Sequence, residues 1–128
     1  MFGALALIAG SALAQTAEDQ AELTGQDMVL ANGGDLFELC SAGDGDAKAL
    51  QALSFCYGFI EGIYVMHEAM AVAEDGVRLI CPPDGATRET AAAAFVAWGS
   101  ENPDAMTGWP LDALFRAWTE AYPCPDSQ

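Results

Sequence analysis

Four cysteines (Cys40, Cys56, Cys81 and Cys124), one histidine (His67) and the carboxylates near it are the residues here whose types could do chemistry. Cysteine with histidine would suggest zinc, but there is no CxxC and His67 stands alone. A nucleophilic thiol needs an electropositive, partly exposed setting. An even cysteine count in a small chain points instead to disulfides. His67 and Glu68 are adjacent, so on a helix they point about 100° apart and are not expected to orient one another. A lone histidine on a helix rim reads as a partly buried packing residue. Glu61 lies between Gly58 and Gly62 without a second carboxylate to complete an acid–base pair. No Gly-x-Ser-x-Gly, phosphate-cradling glycine loop or His-Glu-x-x-His occurs. The residues therefore assign no catalytic, metal or cofactor site, and binding is the expected activity.

The elements that would position these residues are helical. Leu50 to Met70 repeats apolar residues at Leu53, Cys56, Phe59, Ile60, Ile63, Tyr64 and His67/Met70, which is helical spacing over a length no ordinary strand reaches. The helix is expected from Ala47 or Lys48 to Val72, with Glu74-Asp75-Gly76 ending it through a left-handed glycine. Each interior glycine costs roughly 0.5–1 kcal/mol against alanine. Gly58 and Gly62, one turn apart, should therefore serve either a tight internal helix crossing or a homodimer seam. Before this helix, Asn32-Gly33-Gly34 reads as a turn that stops a helix, and Asp35 to Cys40 as a short helix with Leu36, Leu39 and Cys40 facing inward. Ser41 to Asp46 lacks the alternating acids and closing glutamate of a calcium loop and reads as a surface turn.

Val77 to Gly85 contains Pro82-Pro83 and is extended. Thr87 can cap a third helix whose stripe is Ala91, Ala94, Phe95 and Trp98. Gly99 to Asn102 frays that helix, and a loop follows from Asp104 to Trp109. Pro110 opens a fourth helix, with Leu111, Leu114, Phe115, Trp118 and Tyr122 on one face. The reading is all-α: a small bundle of four to five helices. Helical hairpins would bring Cys40 to Cys56 and Cys81 to Cys124. In the chain-entropy model those two loops contribute about 3 and 4 kcal/mol.

Three segments are expected. Residues 1–14 resemble a signal peptide, apolar and ending Ala12-Leu13-Ala14, though without the usual basic start. A start codon placed a few residues late would account for that. Residues 15–27 are polar and acidic and read as a flexible lead-in, and 28–125 form the domain. Export to the periplasm follows, with no membrane span once the leader is cleaved. The net charge is −15, with Lys48, Arg78, Arg88 and Arg116 the whole basic complement. That excludes nucleic acid and anionic lipid surfaces as partners. The best candidate binding surface is the loop before the fourth helix, where Met106 and Trp109 stand beside Glu101 and Asp104.

In order along the chain, Gly34 to Cys40, Cys56-Tyr57-Gly58-Phe59-Ile60-Glu61-Gly62, Cys81-Pro82-Pro83-Asp84-Gly85-Ala86-Thr87, Asn102-Pro103 and Ala121-Tyr122-Pro123-Cys124 together resemble the Rap/Tai family of immunity proteins. Pro82 stands where that family commonly has leucine, and Thr90 where a capping glutamine is common. The resemblance implies a disulfide-bonded helical periplasmic protein, often dimeric and without catalysis. Such proteins inhibit a peptidoglycan amidase effector of type VI secretion by occluding its active site. By position alone, the contact would be Ser100 to Trp109. The competing expectation is a small cell-envelope structural or chaperone-like helical protein with no toxin partner.

Overall fold

The computed structural model describes residues 25–26, 28–43 and 45–125, so the leader and most of the acidic lead-in lie outside the described residues. Four α-helices, α1 (Gly33–Cys40), α2 (Ala47–Ala71), α3 (Arg88–Glu101) and α4 (Pro110–Ala121), are joined by loops and by a 3-10 turn at Pro103–Thr107, with no strand among the described residues. The all-α expectation holds, and both disulfides form as expected, Cys40–Cys56 and Cys81–Cys124.

The start of α1 departs from expectation. Asn32 does not stop a helix; it begins one. Its Oδ1 accepts from the Asp35 N–H at 3.1 Å, while Asp35 Oδ2 accepts from the Asn32 N–H at 3.1 Å and the Ala31 N–H at 2.7 Å. This reciprocal capping satisfies amides that a helix start otherwise leaves unpaired. Gly33 then lies inside α1 because α4 and the 3-10 turn come so close: a Cβ there would meet Ala113 Cβ at 3.0 Å and Met106 Cα at 3.2 Å.

Asp46 caps α2 by accepting from the Ala49 N–H at 2.8 Å. The exit from α2 is left-handed at Asp75 (φ 63°), not at Gly76 as expected. Gly76 instead sits against the carbonyls of Met70 and Ala71, where a Cβ has no room. By length and composition α2 could cross a membrane, but its inner residues Ala52, Cys56, Ile60 and His67 are buried in the bundle.

Thr87 caps α3 as expected, and Thr90 completes the reciprocal box that the resemblance assigned to glutamine: Thr87 N–H donates to Thr90 Oγ1 at 2.9 Å and Thr90 N–H to Thr87 Oγ1 at 3.2 Å. The Glu89 carboxyl in that first turn is held below its ordinary range, chiefly by its own backbone N–H and then by the Thr87 hydroxyl. The buried line of α3 is Ala92, Phe95 and Gly99, so Phe95 of the expected stripe is buried while Ala91, Ala94 and Trp98 are half-buried beside it. The helix continues through Gly99 to Glu101 without fraying there.

The core gathers Leu36, Ile60, Ile80, Phe95, Leu114 and Trp118, all 2 % exposed or less. The Trp118 indole N–H donates to the Ala91 carbonyl at 3.1 Å, satisfying the one polar atom this large side chain brings inside. Phe37 meets Phe95 edge-on at 6.5 Å, and Phe115 meets Trp118 likewise at 5.9 Å. Leu111 is the exception on α4: the buried set is Pro110, Ala113, Leu114, Ala117 and Trp118, and Leu111 is 43 % exposed.

The close-packing glycines are therefore Gly33 and Gly99, not Gly58 and Gly62. A Cβ on Gly99 would meet Phe37 Cδ2 at 2.8 Å and Met106 Sδ at 3.1 Å, whereas at Gly58 and Gly62 it would meet nothing within 4 Å. Among the described residues no element makes the internal crossing expected at Gly58 and Gly62. Gly99→Ala should gain about 1 kcal/mol of helix propensity but lose roughly 1–3 kcal/mol by overpacking against a ring already fixed by Phe95. A net loss of about 1 kcal/mol in urea unfolding is the expected result. A variant more stable than the parent would show that the Phe37 ring yields freely.

Candidate functional site: the corner between α3 and α4

Asn102 shapes this corner. Its Nδ2 donates to the Trp98 carbonyl at 2.8 Å and its backbone N–H to the Gly99 carbonyl at 3.2 Å, closing α3. Pro103 prevents the helix from continuing in register and opens the 3-10 turn. Within the turn Ala105 N–H donates to the Asn102 carbonyl at 3.0 Å, Thr107 Oγ1 to the Asp104 carbonyl at 2.8 Å, and Gly108 N–H to the Ala105 carbonyl at 3.2 Å. The Gly33 N–H donates to the Gly108 carbonyl at 2.9 Å, tying the corner to α1. The expected loop is thus an ordered turn, held by hydrogen bonds within it and to α1.

The four side chains expected as partner contacts do not behave alike. Trp109, at the N-cap position of α4, is 80 % exposed and makes no side-chain capping bond. It does not fold back onto α4 as a staple. Glu101 and Asp104 are exposed as well. Met106 is half-buried, with its sulfur against Gly99 and its backbone against Gly33, so it wedges the corner in place beneath the displayed residues. A shallow depression brings Glu101, Asp104, Thr107, Asp112 and Arg116 together. Asp112 and Arg116 are additions that the sequence did not single out; they pair one turn apart at 2.8 Å. Leu111 is exposed too. Counting the helical period from Pro110 instead of Leu111 would have put Leu111 outside.

A second apolar surface lies on the outward side of α2, where Gly58 and Gly62 are exposed together with Val65, Met66, Met70 and Val72. His67 faces the other way and is 5 % exposed. Its Nε2 accepts from the Leu79 N–H at 3.0 Å, and its Nδ1 lies 3.2 Å from Glu68 Oε1. Adjacent helical residues were not expected to meet, but the longer glutamate arm reaches back beside the ring, at an angle too skewed for a well-formed hydrogen bond. Glu68 also pairs with Arg78, which is the first cause holding its carboxyl below the ordinary range. This group is packed and paired. Among the described residues no three His, Cys, Asp or Glu side chains come close enough to hold a metal ion.

The family model for Rap1a immunity proteins matches residues 32–124, from the α1 cap to the last cysteine. Comparison with curated proteins and with solved structures gives no match. The matched span takes in both disulfides, all four helices and the α3–α4 corner, and on it the chain belongs to the Rap1a immunity protein family.

Proposed function

We propose that this immunity protein is exported to the periplasm and there binds a peptidoglycan amidase effector of type VI secretion. It blocks the active site with the α3–α4 corner and carries out no chemistry itself. The observation that carries this reading is Trp109, a large side chain left 80 % exposed on a turn held by hydrogen bonds on both sides. A rigid aromatic anchor loses little conformational freedom on binding, and such residues dominate interface energetics. Glu101 and Asp104 form a polar, negatively charged rim, and the net charge of −15 would speed encounter with a cationic partner. The test is to mix the mature protein with the amidase encoded beside its gene and to follow muropeptide release and complex formation. Stoichiometric inhibition with co-elution on gel filtration is expected. An active amidase that neither co-elutes nor slows would sink the reading.

The outer face of α2 favours a further contact, the seam of a homodimer. Gly58 and Gly62 would let two helices approach closely, with Val65, Met66 and Met70 alongside. The same exposed apolar face is what a chaperone-like envelope protein would use, and the two readings part on one substitution. Because a side chain at Gly62 meets open space, Gly62→Leu should fold and gain roughly 0.5–1 kcal/mol of helix propensity. It should also run as a monomer where the parent runs as a dimer. A dimer that persists in Gly62→Leu would move the seam elsewhere.

A further inference from the structure

The segment 77–81 runs back along α2 as a strap, stapled at its far end by Cys81–Cys124 and by the Cys81 N–H donating to the Tyr122 carbonyl at 2.9 Å. Its hold on α2 is the Leu79 N–H on His67 Nε2, with the Arg78–Glu68 pair beside it. We propose that His67, the chain's single histidine, is a pH-sensitive latch whose protonation releases this strap from α2 at Leu79. An imidazole nitrogen accepts a hydrogen bond only through its lone pair, so the Leu79 contact requires the neutral ring with Nε2 unprotonated. The imidazolium carries N–H groups on both nitrogens, and two donors would then confront each other at 3.0 Å. The ring is buried, so water does not take over the lost contact.

The surroundings fix which side gives way. Glu68 faces Nδ1 from α2 itself, and Arg78 comes from the strap, with Tyr64 acting on Arg78 from one turn earlier on α2. The fourth helix contributes the uncharged ring of Phe115, 5.8 Å away and without an acceptor for a new N–H. Arg78 keeps the Glu68 carboxyl ionised into acid, so a protonated ring stays attracted on its Nδ1 side. Acid therefore strengthens one contact of the ring and abolishes the other. Opening the strap frees Nε2 to hold its proton without opposition, so protons favour the open form. The released segment bears Val77 and Leu79, both already exposed, whereas Ile80 at 1 % exposure and the disulfide keep its far end docked.

The test follows amide protection factors in the full domain by NMR hydrogen exchange, from neutral pH to about pH 4. The Gly76 and Cys81 amides serve as controls because they donate to backbone carbonyls, of Ala73 and Tyr122. Leu79 protection is expected to fall about tenfold relative to both controls, the fold-change of one ordinary hydrogen bond, as the His67 ring nitrogens shift to the protonated form. Leu79 tracking the controls throughout, or Nε2 carrying the proton at neutral pH, would overturn the latch. His67→Gln retains a side-chain acceptor that does not titrate, and Leu79 protection in it should be independent of pH relative to the controls. An acid-dependent loss there would assign the release to another group. Should His67→Gln not fold, the titration of the parent protein decides alone.

Discussion

Replacing Cys81 and Cys124 together by alanine is expected to destabilise the domain by about 4 kcal/mol. The bond spans a sequence separation of 43, against 16 for Cys40–Cys56, so it removes the larger share of unfolded-chain entropy. It also anchors a region with few other holds. Between α2 and α3 there is no regular element, and residues 77–87 are held by Ile80 in the core, by the Cys81 amide on Tyr122 and by the His67 contact. A domain of this size has a net stability of only about 5–15 kcal/mol, so one bond accounts for a large fraction of it. At roughly 4–8 °C per kcal/mol, the melting midpoint should drop by about 20 °C. Removing both cysteines avoids the complication of a free thiol pairing elsewhere. The corresponding Cys40/Cys56 variant should lose about 3 kcal/mol. A Cys81/Cys124 variant that melts within a few degrees of the parent would mean that the docked strap, not the bond, supplies the stability.

Local chemistry is legible in the sequence, and long-range approach is not. The Thr87 cap, Pro110 at the first turn of α4 and the span of α2 depend on residues within a turn of one another, and each lies where its neighbours imply. The pairing of the cysteines follows from the order of helices. Asn32 misleads because Asn-Gly-Gly carries a turn signal in isolation. What converts it to a helix start is Asp35 three residues on, together with α4 and the 3-10 turn pressing on Gly33. The two glycine pairs make the same point. Gly58 and Gly62 have the one-turn spacing of a helix crossing, yet they face solvent in the folded chain. Gly33 and Gly99 have no spacing relation at all, yet the Met106 wedge packs against both. Which helix face meets which neighbour is decided by the whole bundle. Leu111 shows this on a smaller scale, since its place in the repeat depends on whether Pro110 or Leu111 begins the count.

The corner is the part of the candidate site where the two levels meet. Sequence composition marks Glu101, Asp104, Met106 and Trp109 as a group, and the fold gives them different roles. Met106 supports the corner, while Trp109, Glu101 and Asp104 are displayed on it. Trp109→Ala is therefore expected to separate binding from stability more cleanly than any other substitution. Its side chain is 80 % exposed and supplies no cap, so folding should change by no more than about 0.5 kcal/mol. If Trp109 anchors the proposed amidase partner, truncation should cost about 2–4 kcal/mol of binding, roughly a 30- to 1,000-fold rise in the Kd for it. Calorimetric titration against the amidase and urea unfolding of the free variant measure the two quantities on one preparation. Charge reversal at Glu101 or Asp104 should act differently, slowing association and changing its salt dependence without a comparable loss of affinity. Met106→Ala should do the converse of Trp109→Ala, lowering stability because it removes the side chain whose sulfur packs against Gly99. Should Trp109→Ala bind as tightly as the parent, the exposed indole is incidental and the contact surface belongs elsewhere, with the outer face of α2 next to be tested.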